Sequence, residues 1–345
     1  MNIDHLNIRL VAALVVGIFF CQEALVHPSA YPCGREGIWI QTLGSGDLDI
    51  KDDRAAESYL VWIDNNAVLL VGAGEGSGTR FSETGADLTT LDAILLPRTS
   101  VAHVAALPSL IGSSRRAYRE RKLTILGPTG NDTVLSTSEL INRMFDPDGP
   151  YPELASISDV TNPFGFTLRT QDVLAVGSET WKEFGTNQYL VSALPVRHRE
   201  APTLAWRIDF KYETPAPTTT EEEAENERDW SMSTEPAKST VYSDYAIVFA
   251  SGFGGVSHAF IKFAMDADVI VFSHALPEGA TSRARENFLE PKEIGEIAAT
   301  ADVRFIILGG RGWRTFGREL KTKEIIEKSY DGTIILPDDL DCWGL

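Results

Sequence analysis

Basic residues are scarce. Against 49 Asp and Glu the chain sets only 31 Lys and Arg, leaving a formal charge of −18 and a pI near 4.8. No stripe of Lys and Arg offsets this, so a nucleic-acid surface, which must neutralise phosphates with clustered cations, is not expected. Cysteine is equally sparse: Cys21, Cys33 and Cys342 fall at no zinc-ligand spacing, which excludes a cysteine-based zinc module. No apolar run reaches the roughly 20 residues of a membrane span. The glycine-rich Gly72-Ala73-Gly74-Glu75-Gly76 lacks the Lys-Ser/Thr of a phosphate loop and the spacing of a dinucleotide turn. Short-period repeats are missing too.

What is present suits a globular α/β chain. The apolar fraction, 43% of 345 residues, is ordinary and can fill a substantial core. Arg9 precedes the apolar run Leu10–Cys21, too short to span a bilayer and right for a signal-peptide core. Residues 1–30 therefore read as a cleaved signal ending near Ser29-Ala30 or, alternatively, as an uncleaved anchor. Either makes the protein exported, to a periplasm or the cell exterior. In that setting Cys33 and Cys342 would pair as a disulfide; the alternative is two unpaired thiols. Residues from about 213 to 240 are rich in Thr, Pro, Ser and Glu, as expected of a loosely held acidic insertion, lid or partner-binding tail.

The hydrophobic pattern predicts strands at 38–43, 58–63 and 67–71, with Asp64-Asn65-Asn66 turning the second into the third. Further strands are expected at 93–96, 123–126, 166–169, 189–196, 205–211, 245–250, 269–272, 305–308 and 333–336. Helices are expected at 104–118, 136–145, 257–265, 291–299 and 317–329. Ser136 and Glu139 have capping-box spacing. Arg115, Arg116, Arg119 and Arg121 read as a solvated helix end, and His258 as a surface residue. Hairpins followed by strand–helix alternation, in two loosely similar halves, predict a four-layer αββα sandwich across residues 35–345.

Within this frame Leu91–Pro108, LDAILLPRTSVAHVAALP, resembles the metal-binding loop of the metallo-β-lactamase superfamily, usually THxHxDH before a helix with Leu-Pro. The resemblance extends through Ser58-Tyr59-Leu60-Val61, Leu194-Pro195-Val196 with His198 and Trp206, Ser251-Gly252, and Pro277-Glu278-Gly279-Ala280. It is similar to the exported, hydrolase-like members near the ribonuclease Z and arylsulfatase-like branches. In active members seven ligands hold two divalent metals, usually zinc, that activate a water. Carried onto this chain, the ligand positions read Arg98, Ser100, Ala102, His103, His198, Phe253 and Gly310, so that only His103 and His198 could ligate. A supporting Asp of the glycine-rich turn is replaced by Gly72, and a further His near Phe288 is missing.

The resemblance thus implies the fold together with a dismantled two-metal site, in a protein that binds a small anionic ligand or a protein partner. The alternative is a residual hydrolase of an ester, phosphoester or sulfate ester, holding at most one weak metal. Three constellations bear on the choice. Arg98, Arg197 and Arg311 could replace metal charge and bind an anion, or could turn to solvent and acidic neighbours. His103, His198 and His274 could gather as a single-metal site, or be hydrogen-bonded loop residues. Ser100 and His103, three apart, could form a nucleophile pair, or Ser100 could be a small replacement at a vacated position.

Overall fold

A computed structural model describes residues 33, 36–48, 53–158, 166–215 and 240–345. The expected signal or anchor over residues 1–30, and residues 216–239 of the expected insertion, lie outside the described residues.

Strands buried on both faces build most of the first sheet. Strands β1 (Ile38–Gly44), β2 (Ser58–Ile63) and β3 (Asn66–Val71) are antiparallel. Strands β4 (Ala93–Leu95), β5 (Leu123–Pro128) and β6 (Leu168–Val173) continue from β3 in parallel. The two-residue turn from β2 to β3 uses Asp64 at φ 53°, which an Asp tolerates. The second sheet repeats this logic. Strands β7 (Trp181–Gly185), β8 (Tyr189–Val196), β9 (Thr203–Pro215) and β10 (Thr240–Ala250) are antiparallel, and β11 (Val269–Ser273), β12 (Phe305–Gly309) and β13 (Thr333–Ile335) follow in parallel. The last strand, β14 (Cys342–Gly344), returns to pair with β1. Among the described residues each sheet has seven strands.

Tyr59, Val61, Val71, Phe249, Val271 and Ile307 point between the sheets with Trp206. Their alternates Leu60, Leu70 and Ile94 face α1 (Ser77–Glu83), α3 (Leu107–Arg116) and α4 (Thr137–Met144) through Phe81, Leu107, Leu110, Ile111 and Ile141. On the other outer face Val248, Ile270 and Ile306 meet α5 (His258–Ala264), α6 (Pro291–Thr300) and α7 (Glu319–Ile326) through Phe260, Ile294, Ile297 and Ile326. The order helix, sheet, sheet, helix is the αββα sandwich. A one-turn helix, α2 (Val101–Val104), precedes α3. Among the described residues no helix is long and apolar enough to cross a membrane.

The hairpin of β9 and β10 is paired out to Pro215 and Thr240, at the two edges of the interval expected at about 213–240. Two expectations need correcting. Arg119 is not at a solvated helix end: it is 1% exposed, and its guanidinium donates to the carbonyls of Leu88, Leu91, Arg121 and Lys122. Backbone acceptors left over where 3-10 turn, helix end and strand meet replace its hydration. Of the capping box only one half forms: Ser136 accepts from the Glu139 amide, while the Glu139 side chain pairs with Arg143.

A disulfide joins Cys33 to Cys342, with the Cα atoms 5.7 Å apart across 309 residues of chain.

Candidate functional site

Parallel strands end on one rim of the sandwich, and the segments beyond their C-terminal ends converge there, as open α/β sheets favour for ligand sites. Gly72 follows β3, Arg98 follows β4, Ser251 and Gly252 follow β10, Ser273 closes β11, and Gly310 follows β12. Glu57 enters from just before β2 and His198 from just after β8. Of these, Glu57, Arg98, His198, Ser273 and Gly310 line a cleft of about 370 Å³, together with Ser100, Ala102, His103, Asn287 and Phe288.

Arg98 reaches inward, 7% exposed, and bridges the two sheets. Its Nη1 donates to the carbonyl oxygens of Ser251 (3.1 Å) and Gly252 (2.6 Å), and its Nη2 to Nε2 of His103 (2.9 Å). Gly252 permits this approach, since a Cβ there would lie 2.7 Å from Nη1 and φ is 53°. Burial pulls the guanidinium down to about 10, opposed by Glu57 and Glu200, and leaves it charged at neutral pH. A guanidinium has no lone pair, so the bond fixes His103 as the neutral imidazole with its proton on Nδ1. Burial, Arg98 and His198 together hold its pKa well below the ordinary value. The Nδ1 proton has no partner; it faces Gly72, where a Cβ would come within 3.4 Å.

Glu57 lies beside this pair. Its carboxylate accepts from the hydroxyls of Ser273 (2.8 Å), Ser251 (3.0 Å) and Tyr59 (3.2 Å). Burial pushes its pKa up, while these hydroxyls and Arg98 pull it back. His198 stands at the mouth, its ring edge-on to Phe288 at 6.3 Å and its Nδ1 accepting from the Glu200 amide at 3.2 Å. Burial first, then Arg98, brings it down to about 3.

The resemblance carried four further positions, Phe253, Gly310, Ala102 and Ser100. Phe253 turns away into the outer apolar layer, 4.7 Å from Phe260. Gly310 sits at φ 52°, and a Cβ there would lie 2.8 Å from Glu57 Oε2 and 3.0 Å from Ser273 Oγ. Ala102 packs its carbonyl against Gly74, where any side chain would clash at 2.3 Å. Ser100 lines the cleft with its hydroxyl buried and unpartnered, so no Ser100–His103 hydrogen bond forms.

Two constellations expected from the sequence do not assemble. His274 lies outside the cleft lining: its Nε2 meets Thr322 Oγ1 at 2.8 Å, and burial with Arg311 lowers its pKa to about 4. His103, His198 and His274 therefore do not form a three-histidine site, and no group of three or more His, Cys, Asp or Glu able to hold a metal exists among the described residues. Arg311 bonds to Pro337 O, Asp338 and Glu319, and Arg197 is exposed. Of the three arginines only Arg98 faces the cleft. Sequence reading overlooked Glu57 and Ser273; the hint was a lone carboxylate heading the apolar strand SYLVWI. A larger groove of about 590 Å³ crosses β8–β10, but Arg207, its arginine, is engaged by Asp209 and the carbonyls of Phe263 and Met265.

No family model matches the chain. Over 134 residues it is 30% identical to a ribonuclease Z of Lachnoclostridium phytofermentans, covering 39% of this chain and 36% of that one. Over 203 residues it is 29% identical to a ribonuclease Z of Methanopyrus kandleri, covering 58% and 64%. The chain thus matches about a third and just under two thirds of the lengths of these relatives. Among solved structures, the metallo-β-lactamase fold protein YhfI of Bacillus subtilis superposes with a TM-score of 0.60 at 13% identity, over 89% of this chain and 99% of that one. The short form of human tRNase Z gives 0.60 at 14% identity, over 89% and 98%. Layer order, sheet topology and these likenesses agree: the chain has the metallo-β-lactamase fold.

Proposed function

We propose that the chain is a metal-independent member of this fold, in which Arg98 supplies the cleft's positive charge and the cleft binds a small organic anion. The carrying observation is the 2.9 Å bond from Arg98 Nη2 to His103 Nε2. The imidazole lone pair that would ligate a metal is used by a cation of the chain itself. The residues present do not fit the two metals of the fold family. Phe253, Gly310 and Ala102 offer no donor atoms, and Glu57 is occupied by three hydroxyls. No two-metal hydrolysis is derived for this chain, and the RNA-directed naming of the ribonuclease Z relatives is not carried over to a chain of charge −18.

The bonds described use three of the five guanidinium N–H donors, leaving two for a carboxylate, phosphate or sulfate group. Ser100 adds a free hydroxyl, and Phe288 and Val134 supply apolar wall. A volume near 370 Å³ lies in the range of small-molecule sites.

Elemental mass spectrometry of the purified chain, after exposure to zinc, manganese and iron, tests the first half. Less than a tenth of an ion per chain is expected, on the order of contamination. Stoichiometric metal lost on His103→Ala or His198→Ala would overturn the reading and favour a residual hydrolase. Thermal shift against a panel of carboxylates, phosphate esters and sulfate esters tests the second half. Stabilisation by a subset, diminished in Ser100→Ala and His198→Ala, is expected.

A further inference from the structure

The cleft around Arg98 carries more negative than positive charge. Among the described residues Arg98 is the one lysine or arginine on its lining, against three carboxylates, Asp47, Glu57 and Glu200. His103 and His198 add no charge, since burial and Arg98 hold both neutral. A plain anion that reached the guanidinium would therefore sit among like charges, where low dielectric makes repulsion strong. Arg98 and Glu57 are 7% and 6% exposed, opposite in sign and in the same cleft, yet no bond joins them. The guanidinium gives its bonds to the carbonyls of Ser251 and Gly252 and to His103, and the carboxylate accepts from Ser273, Ser251 and Tyr59. Each keeps capacity in reserve: two N–H donors on Arg98, and on Glu57 a lone pair of Oε2, which takes a single bond where Oε1 takes two. Gly310 keeps that oxygen open, because a Cβ there would lie 2.8 Å from it.

We infer that the ligand of this cleft is a zwitterion, an α-amino acid with an apolar side chain, whose carboxylate takes the two free N–H groups of Arg98 and whose ammonium takes Glu57 Oε2. This narrows the anion-binding reading on which it rests, from carboxylates in general to those with a cation on the next carbon. Such a ligand satisfies at once two buried groups of opposite sign that share a cleft without pairing. Glu200, exposed at the mouth, adds negative charge felt at Arg98 and would favour the same ammonium. An apolar wall adjoins the guanidinium. Cε1 of Phe288 would lie 3.1 Å from a Cβ at Gly252, whose carbonyl Arg98 holds, and Val134 and Leu48 extend the lining. The ligand's side chain would pack there.

Titration calorimetry of the full chain with three matched probes tests this: phenylalanine, 3-phenylpropanoate, which lacks the ammonium, and phenylalaninamide, which lacks the carboxylate. Phenylalanine should bind about tenfold tighter than either of the others, or more. Glu57→Gln and Glu200→Gln should each weaken phenylalanine by about threefold or more and leave 3-phenylpropanoate unchanged or tighter. A damaged fold would weaken both probes. Should Glu57→Gln fail to fold, because its carboxylate serves three hydroxyls, the exposed Glu200→Gln carries the same comparison. Equal or tighter binding of 3-phenylpropanoate to wild type would overturn the zwitterion and leave the anion reading standing. Phenylalaninamide binding as tightly as phenylalanine would overturn both, since no carboxylate would then be needed. No heat from phenylalanine at millimolar concentration, with phosphate or sulfate esters still raising the melting temperature, would overturn the zwitterion alone.

Discussion

Arg98 and His103, five residues apart on the loop after β4, share a 2.9 Å hydrogen bond in which the guanidinium donates to Nε2. The loop thereby closes on its own cation. That cation also fastens the first sheet to the second, because its Nη1 ends on the carbonyls after β10. Charge, cleft geometry and sheet-to-sheet contact are therefore all carried by one side chain.

Removing that side chain should cost stability before it costs anything else. Arg98→Met would leave two buried carbonyls and the His103 lone pair without a donor, about 2–4 kcal/mol in urea denaturation. Arg98→Lys should recover little, since an ammonium cannot span both sheets with a planar fork. A loss below about 0.5 kcal/mol for Arg98→Met would show that the bridge is not structural.

The layers were legible from sequence because short apolar runs such as Ser58–Ile63 and Asn66–Val71, broken by turn residues, read as strands of a sheet covered on both faces. Long-range pairing was not. Arg311 and His274 follow strands of the second sheet as Arg98 and His103 follow a strand of the first, yet Arg311 turns to Pro337 and Glu319 and His274 to Thr322. Arg119 looked solvated because two of its carbonyl partners, Leu88 and Leu91, lie 31 and 28 residues away, on a turn that sequence does not show to be adjacent. Glu57 escaped notice for the same reason: its donors Ser251 and Ser273 lie 194 and 216 residues away.

Single substitutions should not rebuild a metal site. Gly310→His places a β-carbon 2.8 Å from Glu57 Oε2 at a left-handed φ of 52°, so the variant should lose roughly 2–4 kcal/mol. Phe253→Asp sets a carboxylate into the apolar layer against Phe260 and should cost about 3 kcal/mol or more. Urea midpoints check both, and zinc titration by calorimetry should remain flat in each. A wild-type midpoint together with bound zinc in either variant would show that the rim is still organised for metal.

The Cys33–Cys342 bond should be worth about 3–5 kcal/mol, because it closes a loop of nearly the whole described chain in the unfolded state. Cys33→Ser and Cys342→Ser should lower the melting temperature equally, and the double variant should fall no further. Additive losses would mean that each thiol acts through packing instead, Cys33 being buried at 3% exposure.

Acid should destabilise the protein well above the range where ordinary carboxylates titrate. His103 is held well below its usual pKa, His274 at about 4 and His198 at about 3. Each is neutral when folded, whereas each unfolded imidazole takes a proton near pH 6.5. Their contribution is complete above pH 6.5 and is lost as pH falls from there towards the folded values, at up to about 1.4 kcal/mol per pH unit for each fully buried ring. His198, at the cleft mouth, should give less than the other two. Glu57 works in the opposite direction: its raised carboxyl binds a proton more readily when folded, so falling pH favours it. One group against three leaves a net loss, so unfolding free energy from urea should drop by at least about 2 kcal/mol between pH 7 and pH 5. His103→Gln and His274→Gln should each flatten that slope, because an amide cannot take up the proton. Slopes identical to wild type in both variants would place the buried imidazoles outside the acid response.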